Sequence, residues 1–368
     1  MLGKARRLAL LAEGRFTPLD AKTAVGVLRY RPAEVAAVLD STRAGRSAAA
    51  CVGAGGAIPV VRDVAAAAAL GADSLLIGVA PQGGELPAAW RSAVRAALER
   101  GWDVLSGLHV FLADDPEFAA LAAARGTQLL DVRRPPAARR IAAGRAAALD
   151  QTVVLTVGSD CNVGKMSAAL EVERALGAAG RGAAFVATGQ TGIFIADRGV
   201  VVDAVVADFV AGEVEALVLE AARDAGIVVV EGQGALAHPA YSGVTLALLH
   251  GACPAALVLC HEAGRDAIRV GGAASDWPIA PLPELVRAYE SAAAWLRPAR
   301  VAGIALNTRS LDEAAARAAC ERAARDTGLP ATDPVCFGAA PLAAAIIAVA
   351  DAARPAGAAQ GRIRATAT

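Results

Sequence analysis

The sequence predicts an α/β protein with two parallel sheets, the second of them built on a phosphate-binding loop. Two observations carry this. Short β-branched apolar runs alternate with Ala-, Leu- and Glu-rich helical stretches through most of the 368 residues. That alternation is the mark of parallel sheets covered by helices on both faces. The apolar run at residues 153–157 also stops at a glycine and passes through a short polar loop into a helical segment, the context a phosphate-binding loop requires.

That loop reads Gly158-Ser159-Asp160-Cys161-Asn162-Val163-Gly164-Lys165-Met166-Ser167. Its backbone N–H groups would converge on an anion, with the positive end of the following helix behind them. Lys165 would add a point charge. The first glycine comes one residue early, giving G-x5-G-K. Met166 stands where a hydroxyl usually holds Mg²⁺, and Ser167 supplies that hydroxyl one position late. Phosphate binding therefore follows more directly than metal-assisted phosphoryl chemistry, and no metal site is expected. The only lysines are Lys4, Lys22 and Lys165 among 36 basic residues. A lysine kept at the loop in so arginine-rich a chain supports its use there, because ammonium and guanidinium are not interchangeable at a phosphate.

The length suggests two domains. With 55% hydrophobic but 4% aromatic residues, the core is expected to be mainly Ala, Val and Leu. The formal net charge is zero, and no Lys/Arg run offers a nucleic-acid footprint. The six cysteines form no C-x-x-C and no zinc spacing, which suits reduced thiols in a cytoplasmic protein. The apolar stretch 243–260 is broken by His250, Gly251 and Pro254, so a helix, a turn and a strand are expected there rather than a membrane span.

In the first part, strands are expected at residues 7–12, 35–39, 60–61, 74–79 and 102–105, with another ending at Asp131. A helix is expected over 21–30. Asp40 closes the second strand, where a nucleotide-binding sheet could hold a ribose, but the first turn lacks G-x-G-x-x-G, so Asp40 reads as a cap. Three loops fall at carboxyl strand ends, where open sheets bind ligands: 80–84, 106–109 with His109, and 131–136 with Arg133. His109 is read either as a ligand contact or as a structural histidine. Residues 135–148 read as a linker plus helix. The boundaries set are 1–148, 149–354, and a loose tail at 355–368.

In the second part, the loop's helix should stop near Gly177. A strand at 183–187 ends in Thr188-Gly189-Gln190-Thr191-Gly192. A strand at 227–230 ends in Glu231-Gly232-Gln233-Gly234, with His238 beyond. Glu231 could bind metal, position an amine or act as a base. Strands at 256–259 and 301–306 lead to Cys260-His261-Glu262 and to Asn307-Thr308-Arg309.

The motifs G-S-D-C-N-V-G-K, V-E-G-Q-G (230–234) and G-I-A-L-N-T (303–308) resemble the dethiobiotin synthetase branch of P-loop proteins, where the late Asn reads a purine. The whole chain is similar to a two-domain bacterial family that includes D-glutamate N-acetyltransferase. A-K-T-A (21–24), G-V-A-P-x-G-G (78–84), S-G-L-H-x-F-L (106–112), D-V-R-x-P-P (131–136), A-T-G-Q-T-G (187–192) and V-D-A-V-V-A-D-F (202–209) carry that resemblance. It implies a Rossmann-like N-terminal sheet followed by a P-loop NTPase-like doubly wound domain, with acetyl-CoA as donor.

Three functions compete. The first is an N-acetyltransferase acting on an acidic, D-glutamate-like amino acid. Glu231 or His238 would be the base, and residues 158–167 with Asn307 would hold the cofactor. Gln190, Thr191, Gln233, His109 and Arg133 would bind substrate. Arg198, Arg265 and Arg309 are further guanidinium candidates. A ping-pong variant would use Cys161. The second is an ATP/Mg-dependent ligase or kinase. The third is a non-catalytic nucleotide-binding protein. A homo-oligomer without nucleic-acid or membrane partners is expected in each case.

Overall fold

In the computed structural model of the chain, residues 5–79, 84–271 and 273–353 are described. The motif at 78–84 is therefore seen only at its ends, and the tail 355–368 lies outside the described residues. The chain divides into two compact units. One comprises residues up to Ala137 together with Gly189–Ala204, and the other comprises Ala138–Thr188 with Val205 onward.

The first unit runs β1 (Leu8–Leu11), α1 (Lys22–Tyr30), β2 (Val35–Leu39), α2 (Ala48–Val52), β3 (Val60–Val61), α3 (Val64–Ala69), β4 (Ser74–Ile77), α4 (Arg91–Glu99), β5 (Asp103–Ser106), α5 (Pro116–Arg125) and β6 (Leu129–Asp131). All neighbouring pairs are parallel, in the order β3-β2-β1-β4-β5-β6. This is the doubly wound order of a Rossmann-like sheet. The residues of β1, β2 and β4 are all buried, as unbroken apolar runs in such a sheet should be. Asp40 caps as expected: Oδ1 accepts from the Thr42 N–H at 3.0 Å and Oδ2 from the Phe16 N–H at 3.2 Å. The A-K-T-A motif opens α1 against β4. Ala24 N–H donates to the Gly78 carbonyl at 2.9 Å, and a Cβ on Gly78 would stand 2.7 Å from the Ala24 methyl.

The rest of the chain runs β7 (Thr152–Gly158), α6 (Lys165–Ala178), β8 (Ala183–Val186), α7 (Gln190–Ala196, within the first unit), α8 (Ala207–Ala221), β9 (Ile227–Val230), α9 (Ser242–Ala252), β10 (Ala256–Glu262), β11 (Ala267–Val270), β12 (Ala273–Pro278), α10 (Leu282–Ala293), β13 (Arg300–Asn307), α11 (Glu313–Thr327), β14 (Ala331–Thr332) and α12 (Ala340–Ala353). Its parallel sheet has the order β14-β13-β10-β7-β9-β8, with β7 between β10 and β9. The loop after β7 thus emerges at the middle of the sheet's carboxyl edge. β11 and β12 form a separate antiparallel hairpin.

The helix expected before residue 148 is replaced by irregular chain ending in one 3₁₀ turn, Arg145–Ala148. The reason is Glu215, a buried carboxylate on α8. It accepts from the backbone N–H groups of Ala143 and Arg145, at 3.2 and 2.6 Å, and from the Arg145 guanidinium. Donors that a helix would have used are committed to it. The turn after β8 also differs from a simple loop, because Gln190 and Thr191 begin α7.

Among the described residues no helix is long and apolar enough to cross a membrane. The six cysteines form no disulfide.

Candidate active site

The phosphate loop connects the end of β7 to the start of α6. Asn162 (φ 57°) and Gly164 (φ 105°) take left-handed conformations that bend the backbone round. Lys165 is buried, and its ammonium donates to the Asp160 carbonyl at 2.7 Å, across the loop. Burial pulls its pKa below the ordinary lysine value. An arriving phosphate would supply the counter-charge. Gly158 and Gly232 keep the cradle open. A Cβ on Gly158 would stand 2.9 Å from Lys165 Nζ, and one on Gly232 would run into the Thr156 carbonyl and approach Lys165 Cδ to 3.2 Å.

Behind the loop lies a buried ionic network that spans a long stretch of sequence. Asp160 Oδ2 accepts from Arg265 Nη1 at 2.8 Å and from the Arg269 N–H of β11 at 3.0 Å, while Oδ1 accepts from the Cys161 N–H at 2.7 Å. Arg265 also donates to the Cys161 carbonyl at 2.8 Å and to Glu262, and Glu262 in turn accepts from Arg309 at 2.9 Å. Ser159 Oγ pairs with His261 Nδ1 at 2.8 Å. Tyr289, fully buried in α10, donates its hydroxyl to the Gly158 carbonyl at 2.7 Å and accepts from the Leu236 N–H at 3.1 Å. It ties the start of the loop to the segment after β9.

Glu231 ends β9 as expected and is buried. Its carboxylate accepts from the Thr188 N–H at 3.0 Å and from the Gln233 amide at 3.3 Å. Gly232 beside it packs against the Lys165 stem, so the carboxylate belongs to the loop's surroundings. His238 also reaches the loop, with Nε2 4.0 Å from Asp160 Oδ1. Its ring is committed on both sides. Nδ1 accepts from the Ala240 N–H at 3.1 Å, which leaves Nε2 as the protonated atom, 3.2 Å from the Arg269 carbonyl. In this arrangement His238 anchors the β11 hairpin. A base role would require it to release one of these partners.

Asp160, Cys161 and His238 bring a carboxylate oxygen, a thiol and a ring nitrogen within 4.8 Å of one another. The carboxylate and ring atoms are already engaged by Arg265 and by backbone groups, and two cations, Arg265 and Lys165, stand beside the set. Such donors suit an ionic network better than a divalent ion. Burial raises the Cys161 thiol above its ordinary value, which disfavours the thiolate that the ping-pong variant would need. Met166 and Ser167 are half-buried in the first turn of α6.

Other expected residues gather in the first unit. Arg133 is buried at the end of β6 and donates to the Gly107 carbonyl at 3.0 Å, to Gln190 Oε1 at 3.0 Å, and to Asp203. Thr191 Oγ1 lies 2.9 Å from Thr23 Oγ1. His109 is exposed, with its N–H on the Gly84 carbonyl at 3.0 Å. Arg133 and Gln190 therefore form one polar pair and Thr191 pairs with Thr23, while Gln233 joins Glu231 in the second unit. Sequence reasoning missed the roles of His261, Glu262 and Tyr289. The first two sit at the end of a strand neighbouring β7, which is a usable signal; Tyr289 had none.

Comparison with known proteins gives the family. Residues 41–135 match the Rossmann-like domain of unknown function DUF1611_N, and residues 140–343 match the P-loop domain DUF1611_C. The chain belongs to the DUF1611 family. A relative from Tritonibacter scottomollicae, named D-glutamate N-acetyltransferase, is 40% identical over 332 residues, covering 90% of this chain and 95% of its own. One from Pseudoalteromonas with the same name is 38% identical over 270 residues, covering 73% of this chain and 80% of its own. The crystal structure of a DUF1611 family protein from Anabaena variabilis superposes with a TM-score of 0.88 at 40% identity, over 93% of this chain and 99% of that one. The resemblance of the whole chain to a two-domain family is thereby established, as is the pairing of a Rossmann-like domain with a P-loop domain.

Proposed function

We propose that this protein is an N-acetyltransferase that moves acetyl from acetyl-CoA to the amine of an acidic amino acid of the D-glutamate kind. The observation that carries the reading is a phosphate cradle whose polar surroundings are tied into an ionic network. It suits a nucleotide diphosphate held without phosphoryl transfer. Two relatives named D-glutamate N-acetyltransferase, alike over most of the chain, support the same reading.

The backbone N–H groups of residues 163–165 and the Lys165 ammonium would hold the diphosphate, since the Ser159 and Cys161 N–H groups are engaged by the Cys260 carbonyl and the Asp160 carboxylate. Glu231 would accept the amine proton, because a carboxylate can accept beyond the bonds from Thr188 and Gln233, whereas His238 would first have to release a backbone partner. Attack of the neutral amine on the thioester carbonyl forms the C–N bond, and breaking the C–S bond expels the CoA thiolate.

The test is direct. Acetyl-CoA and D-glutamate are incubated with the protein in EDTA, and free CoA thiol and N-acetylated product are followed together. Turnover in EDTA supports the reading. Turnover only with ATP and Mg²⁺, releasing phosphate or ADP, would replace it with the ligase or kinase alternative.

A further inference from the structure

The strand ends to either side of the phosphate loop, β9 next to β7 and β13 beyond β10, differ in chemistry. The β9 end carries Glu231 and Gln233, with Gly232 pressed on the Lys165 stem. The β13 end carries Asn307 and Arg309. Asn307 lies beside the loop, since a Cβ built on Gly164 would stand 3.9 Å from its Nδ2. Its Oδ1 accepts from the Arg309 N–H at 3.3 Å, which joins the two residues into one corner. A diphosphate seated in the loop sends its nucleoside to one side and its other arm to the other. The acid–base group is on the β9 side, so the nucleoside belongs on the side of Asn307 and Arg309.

Arg309 is built for a ligand in a way that its neighbour is not. Glu262 holds both arginines, Arg265 with one oxygen and Arg309 with the other. Arg265 is consumed by Asp160, the Cys161 carbonyl and Glu262, with its side chain 4% exposed. Arg309 donates to Glu262 at 2.9 Å with its side chain 47% exposed, while Glu262 is only 8% exposed. A buried carboxylate thus orients a cation whose remaining donors face solvent, and pre-ordering lowers the entropic cost of binding an anion.

We infer that Arg309 is a specificity-determining residue that binds a phosphate on the ribose of the donor nucleotide, the 3′-phosphate of coenzyme A. This rests on the acetyl-CoA reading above. A linear triphosphate carries its charge along the loop and none on the ribose, so Arg309 would favour CoA over ATP. Arg269 is another exposed arginine linked to the loop, through its backbone N–H on Asp160. It lies on β11 rather than at the end of β13, and serves as the control.

The experiment is calorimetric titration of CoA and of 3′-dephospho-CoA into the full chain and into Arg309→Ala, Arg309→Gln and Arg269→Ala. The native chain should prefer CoA by about tenfold or more, as expected for a charge-assisted contact. Both Arg309 variants should lose that preference while binding 3′-dephospho-CoA within about twofold of the native chain, and Arg269→Ala should keep it. The unchanged affinity for 3′-dephospho-CoA separates phosphate reading from damage to the loop. Equal binding of the two ligands by the native chain would overturn the inference without any variant. So would a preference that survives in both Arg309 variants or collapses in Arg269→Ala. Binding of neither ligand would instead remove the donor reading on which the inference rests.

Discussion

Arg265 Nη1 stands 2.8 Å from Asp160 Oδ2, and both side chains are buried, 105 residues apart in sequence. The pair fixes the phosphate loop to the end of β10. Removing one partner leaves the other charge buried and uncompensated, which costs about 3–5 kcal/mol. Arg265→Ala should therefore lower the melting temperature of the second unit by several degrees. Asp160→Asn, which keeps shape and part of the hydrogen bonding, should cost less. Scanning calorimetry of both variants checks the order.

Tyr289→Phe removes one oxygen and leaves the Gly158 carbonyl and the Leu236 N–H without it. An unsatisfied buried group costs about 1–3 kcal/mol. We expect a loss in that range by urea denaturation, with weaker binding of the nucleotide as the loop's start loosens. Unchanged stability would mean that other donors replace the hydroxyl.

His261 should give the folding stability a pH dependence. Burial, and then the nearby Arg265, hold its pKa below the ordinary imidazole value of 6.5. The unfolded chain therefore binds a proton more readily than the folded one. The stability contribution is fully present above about pH 6.5 and is lost as pH falls below it toward the lowered folded value. Melting temperature measured from pH 8 to pH 5 should fall on the acid side, and His261→Gln should flatten part of that slope. An equal slope in the variant would assign the acid sensitivity to other groups.

Two glycines should respond in opposite directions to alanine. Gly232 has no room, because a Cβ would strike the Thr156 carbonyl, so Gly232→Ala should destabilise the protein and weaken nucleotide binding. Gly177 lies in α6 with nothing within 4 Å of an added Cβ. Gly177→Ala should stabilise by about 0.5–1 kcal/mol through helix propensity alone. Chemical denaturation of the two variants decides both.

Much of this architecture was legible because the core strands are continuous apolar runs. β2 and β9 could be placed to the residue, since every position in them is buried. The phosphate loop was legible because its function requires a local spacing. What stayed hidden depends on partners far apart in sequence. Glu215 suppresses the expected helix before residue 148 by taking its backbone donors, and the residues concerned lie about seventy positions apart. The β11–β12 hairpin reads A-I-R-V and then A-A-S-D-W-P, a second strand of small and polar residues ending in Trp-Pro with no alternation to betray it. Tyr289 reads as an ordinary core aromatic on an amphipathic helix, and only its hydroxyl contacts with Gly158 and Leu236 reveal more. The position of Glu231 after β9 was legible from the apolar run before it, whereas the commitment of both His238 nitrogens to backbone groups could not be read from spacing.

The central claim is that the loop ending in Lys165 holds the diphosphate of acetyl-CoA without a metal. Calorimetric titration of acetyl-CoA in EDTA into the native chain and into Lys165→Ala tests it most directly. We expect saturable binding by the native chain. Lys165→Ala should lose about a hundredfold or more in affinity, as the loss of a charge-assisted phosphate contact at a buried site implies, while its melting transition remains cooperative. Wild-type affinity in the variant, or binding by the native chain only when Mg²⁺ is added, would contradict the account.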